Sequence, residues 1–351
     1  MKPRKVLRNR LVDLAAQHLS SHDRLVRAFK DVVFDDRVLS KLVLDNRLVT
    51  HDRVVAAMEL YKSWRVLSCV AQTDRTAIVQ KYDAARAELL HEKDVQSILL
   101  DLICQGDEVF LTNGVMKFPD RWSLWTLISE ILINEDYYFE TNTDAPRILD
   151  CGTHFGLAVY YFKNLYPQAR ITGFEPVPEL RQLALQNIRR NRYSDVEILP
   201  YALSNAVGTS RFIVSRADSM AGSLTDRRRM GGDDVTEIEV DCRLLSEFLQ
   251  EPVHFLKLDV EGSEDIVLAE AEGKLANVQH VFCEYHHAAG LDTGRLGQIL
   301  AILDTAGFDV HVGKSLSSQR RTRRRPMTYA HEAYSVSIWA RNGRWEDRTV
   351  I

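Results

Sequence analysis

Arg147-Ile148-Leu149-Asp150-Cys151-Gly152-Thr153-His154-Phe155-Gly156 is the stretch that decides the fold of this chain. Ile148 and Leu149 form an apolar run closed by Asp150, and Gly152 and Gly156 follow. From Leu157 to Leu165 the residues are almost wholly apolar, with Val159, Tyr160, Tyr161 and Phe162. The pattern predicts a buried strand, a tight turn and a buried helix.

A strand, a glycine turn and a helix start make a nucleotide-binding corner. Glycine lets backbone come close to a ligand, and the first helical N–H groups face its polar atoms. A diphosphate-binding turn wants G-x-G-x-x-G, whereas Asp150, Gly152 and Gly156 spell D-x-G-x-x-x-G. Two glycines and an acidic strand end suit a ligand with hydroxyls and a cation, and S-adenosylmethionine is such a ligand.

Downstream, Arg170-Ile171-Thr172-Gly173-Phe174 reads as a second strand closed by Glu175 and Pro176. Pro178 then opens a helix with Leu180, Leu183, Leu185 and Ile188 on its apolar side, running to about Asn191. This is a right-handed parallel unit, and an acid closing its second strand can accept from both ribose hydroxyls, which makes Glu175 the expected ribose ligand. Val196 to Leu199 is a third strand, and Tyr201 and Ala202 behind it are where an adenine edge would lie. Two extended runs, Ser210 to Val214 and Val235 to Val240, flank a polar stretch holding Arg227-Arg228-Arg229.

His254 to Leu258 is the fourth strand, ended by Asp259-Val260-Glu261-Gly262-Ser263-Glu264, where Ser263 is expected to cap the next helix. Period-two alternation puts Lys257 on the face of Asp259, so the pair is either a structural ion pair or part of the reaction site. Val281 to Cys283 is the fifth strand, closed by Glu284-Tyr285-His286-His287. Val310 to Val312 and Tyr334 to Ala340 are the sixth and seventh. Ligands of open parallel sheets bind beyond the carboxyl ends of the strands, so Asp150, Glu175, Asp259, Glu261, Glu284 and His286 are expected on one rim.

Upstream, residues 1–105 have no glycine and only Pro3, and apolar residues recur at three- and four-residue steps. That predicts an all-helical subdomain, any exposed apolar edge of which could serve homodimerisation or docking. Residues 106–145 read as a lead-in: a hairpin turning at Asn113-Gly114, a helix from Trp122 to Ile133, then Tyr137 and Tyr138, expected to pack on the sheet or line a pocket.

Composition excludes several classes. A hydrophobic share of 45% with 27% charged residues is ordinary for a globular chain, and no run reaches the roughly 18 apolar residues of a membrane span. The basic start Met1-Lys2-Pro3-Arg4-Lys5 lacks the apolar core of an export signal, and five scattered cysteines make neither a disulfide framework nor a zinc site. A cytoplasmic protein is expected, with no membrane partner. A net charge of -4 gives no overall attraction to nucleic acid.

Six ordered blocks give the chain a resemblance to the FkbM-type family of S-adenosylmethionine-dependent methyltransferases. They are Ile148 through Gly156; Phe174-Glu175-Pro176 with Pro178; Asn187 and Asn191; Ala202-Leu203-Ser204 with Gly208; Lys257 through Glu264; and Glu284-Tyr285-His286. The resemblance spans about Phe110 to Arg341. It implies an α/β, class I methyltransferase-like Rossmann fold with a seven-stranded, mostly parallel sheet over residues 146–351. It also implies O-methylation of a small molecule, a sugar or a carrier-bound natural-product intermediate. S-adenosylmethionine contacts are expected at Asp150, Gly152, Thr153, His154, Gly156, Glu175, Pro176, Tyr201, Ala202 and Asp259.

One position departs from the family: Thr153-His154 stand where Ala-Asn is usual, so His154 takes the place of an expected polar contact. A ring titrating near neutrality there would make cofactor affinity vary with pH. Methyl transfer to oxygen also needs a base, and Asp259, Glu261, Glu284 and His286 are the candidates. His286 is placed first, because imidazole accepts protons at neutral pH while clustered carboxylates raise one another's pKa. No metal is expected in the first reading; the alternative is a divalent ion on Asp259, Glu284 and His286. Acceptor recognition is expected from Tyr137, Tyr138, the 215–233 segment and the Arg320–Arg325 loop, the last for an anionic group.

Three rivals are weaker. A nicotinamide oxidoreductase lacks its third glycine, and a nucleic-acid amino-methyltransferase would want Asn/Asp-Pro-Pro-aromatic where Asp259-Val260-Glu261-Gly262 stands. The third is a degenerate, cofactor-binding interaction module.

Overall fold

The computed structural model describes residue 100, residues 103–111, 113–215, 219–220, 222, 224, 235–287, 295–316 and 334–345. The expected helical subdomain and its dimer face, Arg227–Arg229 and the Arg320–Arg325 loop lie outside these residues. The chain divides into two units, Met1–Cys104 and Gln105–Ile351, and the described residues fall almost entirely in the second. No helix among them is long and apolar enough to cross a membrane.

The second unit opens with a hairpin, β1 (Glu108–Leu111) and β2 (Gly114–Lys117), followed by α1 (Arg121–Leu127), which continues as a π-helical turn over Ile128–Ile133. A seven-stranded sheet follows. It comprises β3 (Arg147–Cys151), β4 (Arg170–Phe174), β5 (Val196–Leu199), β9 (Val253–Leu258), β10 (Val278–His287), β11 (Phe308–Leu316) and β12 (Tyr334–Asn342). Its order is β11-β12-β10-β9-β3-β4-β5. Every neighbouring pair is parallel except those made by β12, which runs antiparallel to both β10 and β11. The helices are α2 (Leu157–Leu165), α3 (Pro178–Arg190), α4 (Glu264–Ala271) and α5 (Arg295–Thr305). This is the α/β architecture expected from the alternation of apolar runs and periodic segments. Between β5 and β9 a second, three-stranded sheet is inserted, with β6 (Tyr201–Ser204) parallel to β8 (Val235–Leu244) and β7 (Gly208–Ser215) antiparallel to it.

Burial explains why the central strands carry no alternation. All six residues of β9 are buried, as expected where both faces of a parallel strand are covered. One face packs Leu149, Leu256 and Leu258 against Val267 and Leu268 of α4 and Ile299 of α5. Aromatic contacts join the lead-in to the sheet and α2: Phe139 lies 4.7 Å from Phe255, Tyr137 4.7 Å from Phe282, and Phe162 5.3 Å from Phe255, centroid to centroid. Tyr137 is thus core, and Tyr138 is half exposed.

The hairpin is fastened to the domain by amide side chains. Asn187 of α3 accepts from the Lys117 N–H at 2.7 Å and donates to the carbonyls of Lys117 and Phe155, both at 2.8 Å. One turn on, Asn191 accepts from the Val115 N–H and donates to the Val115 carbonyl, both at 3.0 Å. Residues at i and i+4 share a helix face, so the two asparagines act as a short strand against the hairpin edge. Truncating either leaves backbone groups unpaired, at about 1–3 kcal/mol each.

Candidate functional site

The turn after β3 is held by backbone. Gly152 and Thr153 both donate to the Phe174 carbonyl, at 3.1 and 3.0 Å, and the Asp259 N–H reaches the Cys151 carbonyl at 3.1 Å. Gly152 sits at φ +93°, and a Cβ there would lie 2.0 Å from the Asp259 carbonyl oxygen. Only glycine lets the ends of β3 and β9 meet so closely. Gly156 caps α2 at φ +91° in the left-handed region.

Asp150 is placed differently from the expectation. It has no exposure and lies beneath the rim rather than on a cavity wall. Its register partner across β3 and β9 is Lys257, so both side chains share one sheet face. The Lys257 ammonium stands 3.6 Å from Asp150 Oδ1 and 3.1 Å from Asp259 Oδ2, and it donates to the Gly152 carbonyl at 2.8 Å. Burial disfavours the Lys257 cation, but Asp259 and Asp150 outweigh it and hold the ammonium charged, above the ordinary lysine value. Lys257 therefore ties the turn to the rim.

Above this pair opens a cavity of about 830 Å³, counted to its open mouth. Gly152, Thr153, His154, Glu175, Pro176, Tyr201, Ala202, Asp259 and Glu261, all expected at the site, line it, together with Leu127, Ile131 and Lys257. Glu175 is 5% exposed, and its two oxygens accept from the backbone N–H groups of Val177 at 2.9 Å and His154 at 2.8 Å. Burial pushes its carboxyl up to about 7, against the pull of those two donors. Ser219, Met220, Gly222 and Leu224, from the segment between β7 and β8, also line the cavity.

His154 is not the near-neutral titrating group the sequence suggested. Burial pushes its ring down to about 4, with Asp120 opposing, so it is uncharged at pH 7. Its backbone is left-handed, at φ +54°. Nε2 lies 3.1 Å from Ser219 Oγ, which donates to Asp120 Oδ2 at 2.5 Å, so the hydrogen on Nε2 points at Ser219. Asp120 is itself the N-cap of α1, accepting from the Ser123 N–H at 2.8 Å. The chain Asp120–Ser219–His154 joins three distant segments at the cavity wall.

The rim beyond Asp259 is rich in carboxylates, and it overturns the placing of His286 as first base. His286 Nδ1 is 3.0 Å from Glu264 Oε1, while Nε2 is 3.4 Å from Glu261 Oε2 and 3.8 Å from Glu284 Oε1. Burial opposes protonation, but Glu261 and Glu264 override it and hold the ring well above the usual histidine range. An imidazolium at neutral pH has no lone pair for a proton. Glu284 is shifted upward too: burial raises its carboxyl, which improves it as a proton acceptor, with the His286 charge opposing.

The cap of α4 and the placing of Glu130 both differ from what sequence alone predicts. Ser263 occupies the N-cap of α4, but its hydroxyl makes no cap hydrogen bond. Instead Glu264 Oε1 accepts from the N–H groups of Val260 at 3.3 Å and Gly262 at 2.9 Å. Glu130, in the π-helical turn, accepts from the Tyr137 hydroxyl at 2.7 Å. Burial and the nearby Glu284 and Asp259 push its carboxyl well up. The signal for it was a lone acid inside Ile128-Ser129-Glu130-Ile131-Leu132-Ile133. Interruptions of regular helix of this kind recur at functional sites.

Comparison with known proteins locates the same region. The family described as "Methyltransferase FkbM domain" matches residues 150–310. "Methyltransferase sdnD" of Sordaria araneosa is 27% identical in an alignment of length 217 that covers 52% of this chain and 82% of that protein. "Methyltransferase 1" of Beauveria bassiana is 26% identical in an alignment of length 212 that covers 52% of this chain and 80% of that protein. Among solved structures, the methyltransferase FkbM from Methylobacillus flagellatus KT aligns at 15% identity with a TM-score of 0.37, covering 63% of this chain and 56% of that one.

Proposed function

We propose that this chain, which carries a methyltransferase domain of the FkbM type, uses S-adenosylmethionine to methylate a hydroxyl oxygen of a small molecule. One observation supports this reading above the others. A single cavity is lined by the carboxyl groups of Glu175, Asp259 and Glu261, all beyond the carboxyl ends of parallel strands. The donor set fits the cofactor. Each Glu175 oxygen keeps a lone pair for a ribose hydroxyl, glycine at 152 leaves room at the turn, and an acid-rich rim favours a sulfonium cation.

When bound, S-adenosylmethionine supplies an electrophilic methyl group. The protein's part is to align an acceptor oxygen with it, keep water away, and receive the hydroxyl proton. Leu127, Ile131 and Met220 contribute apolar lining to the cavity. Lys257 holds the Asp259 carboxyl in place at 3.1 Å. Glu284, with raised proton affinity and the His286 cation beside it, is the group to receive the proton.

Calorimetric titration with S-adenosylmethionine, paired with mass spectrometry of products from a panel of hydroxylated acceptors, tests the reading. Methyl ethers are the expected products. Tight cofactor binding without any methylated product would favour the interaction-module alternative instead. Failure to bind the cofactor at millimolar concentration would sink both.

A further inference from the structure

We propose that Asp259, Glu284 and His286 form a site for one divalent cation of the Mg²⁺ or Mn²⁺ class beside the cavity, whose wall Asp259 joins. Each offers one ligand atom, and these atoms lie within 4.8 Å of one another. An octahedral ion with bonds of about 2.1–2.2 Å spans ligand atoms up to about 4.4 Å apart, so closure on the ion needs a shift of a few tenths of an Å. Two carboxylates and one imidazole are a hard donor set that suits these ions.

The surroundings are arranged as a ligating histidine requires. Glu264 Oε1 holds Nδ1 at 3.0 Å, which fixes the ring and leaves Nε2 facing Glu261 at 3.4 Å and Glu284 at 3.8 Å. Glu264 is anchored in turn by the N–H groups of Val260 and Gly262. A second observation is independent of the three ligands. The Glu264 side chain is 1% exposed and its Oε2 has no hydrogen-bond partner among the described residues. With Glu261 and Glu284 also facing the ring, the carboxylates outnumber the single positive charge of His286, and an ion bound at Nε2 takes the place of the proton held there. Lys257 cannot supply the balance, because its ammonium is already shared between Asp150 and Asp259.

Three protein ligands leave coordination positions open, and Asp259 also lines the cavity, so an acceptor oxygen can complete the shell. The ion's role rests on the methyltransferase reading; the site itself does not. With an ion in place, an acceptor hydroxyl is acidified by the metal and releases its proton to water, and Glu284 serves as a ligand rather than as the base.

The experiment is a Mn²⁺ titration followed by electron paramagnetic resonance on the full chain, with S-adenosylhomocysteine affinity measured in parallel to report on the fold. One Mn²⁺ per chain, displaced by Mg²⁺, is expected. Glu284→Gln should weaken it at least about 100-fold, and Glu264→Gln, which removes charge only behind the ring, about 10–100-fold. No stoichiometric Mn²⁺ in protein that still binds S-adenosylhomocysteine overturns the site, and so does Mn²⁺ binding that neither substitution changes. Turnover that survives chelation unchanged overturns the ion's role and returns the proton to Glu284. Mn²⁺ bound as expected in a protein that methylates nothing supports the site and counts against the methyltransferase reading alone.

Discussion

Lys257 and Asp150 are register partners on β9 and β3, and both are buried, with the ammonium 3.6 Å from one carboxylate oxygen. Asp259 takes the other side of the same ammonium at 3.1 Å. Removing the cation strands two carboxylates in a poorly solvated layer. Lys257→Met is expected to cost about 3–5 kcal/mol in chemical denaturation. Adding Asp150→Asn should recover part of that loss, and strictly additive effects would show that the pair is not coupled.

Gly152→Ala puts a methyl group where the Asp259 carbonyl lies 2.0 Å away, at a φ of +93° that L residues rarely adopt. A loss of at least about 2 kcal/mol in thermal unfolding is expected, with weakened cofactor binding. Near-native behaviour would mean that the two strand ends separate freely.

Glu175 gives the stability curve a definite sign. Its carboxyl moves from an ordinary 4.5 to about 7 in the fold. Between those values the folded chain holds a proton that the unfolded chain has released, so stability falls as pH rises across the window, by up to about 3 kcal/mol. Glu175→Gln should flatten that fall in denaturation curves measured from pH 4.5 to 7.5. Cofactor affinity in the unsubstituted protein should rise as pH passes 7, since the ionised carboxylate is the better acceptor for ribose hydroxyls.

His154 titrates at about 4, so it should add no inflection to cofactor binding between pH 5 and 8. Calorimetry across that range on His154→Asn and on the unsubstituted chain should give curves of the same shape. Asparagine can still donate to Ser219, and a stability change under about 1 kcal/mol is expected. A binding inflection near pH 6 that the substitution removes would put the charge back on this ring.

Glu284→Gln separates chemistry from binding. Turnover should fall by about 10²–10⁴-fold, whether Glu284 takes the proton or holds an ion, while S-adenosylhomocysteine affinity stays within about threefold. Equal losses in both would assign Glu284 to cofactor binding.

Much of the fold was legible because a parallel sheet buried on both faces writes itself as short apolar runs. Each run is followed by an acid: Leu149 by Asp150, Phe174 by Glu175, Leu258 by Asp259, Cys283 by Glu284. Those endings place the acids at one edge, since all four strands run the same way. From sequence alone came the strands, the glycine turn and the placing of Lys257 on the face of Asp259, all of which follow from local residue patterns.

What each acid does was decided only by the tertiary structure. Asp150 and Glu175 look alike as strand-closing acids, yet register gives one a buried lysine partner and gives the other a cavity wall. His286 looks like a base until Glu261, Glu264 and Glu284 close round it and charge it. Glu130 reaches the site from more than a hundred residues away, and Ser219 reaches it through Asp120. Period-two alternation tells which face of its own strand a residue occupies. It says nothing about which charges meet it across the sheet or how much water they keep, and those two quantities set a side chain's protonation and therefore its chemistry.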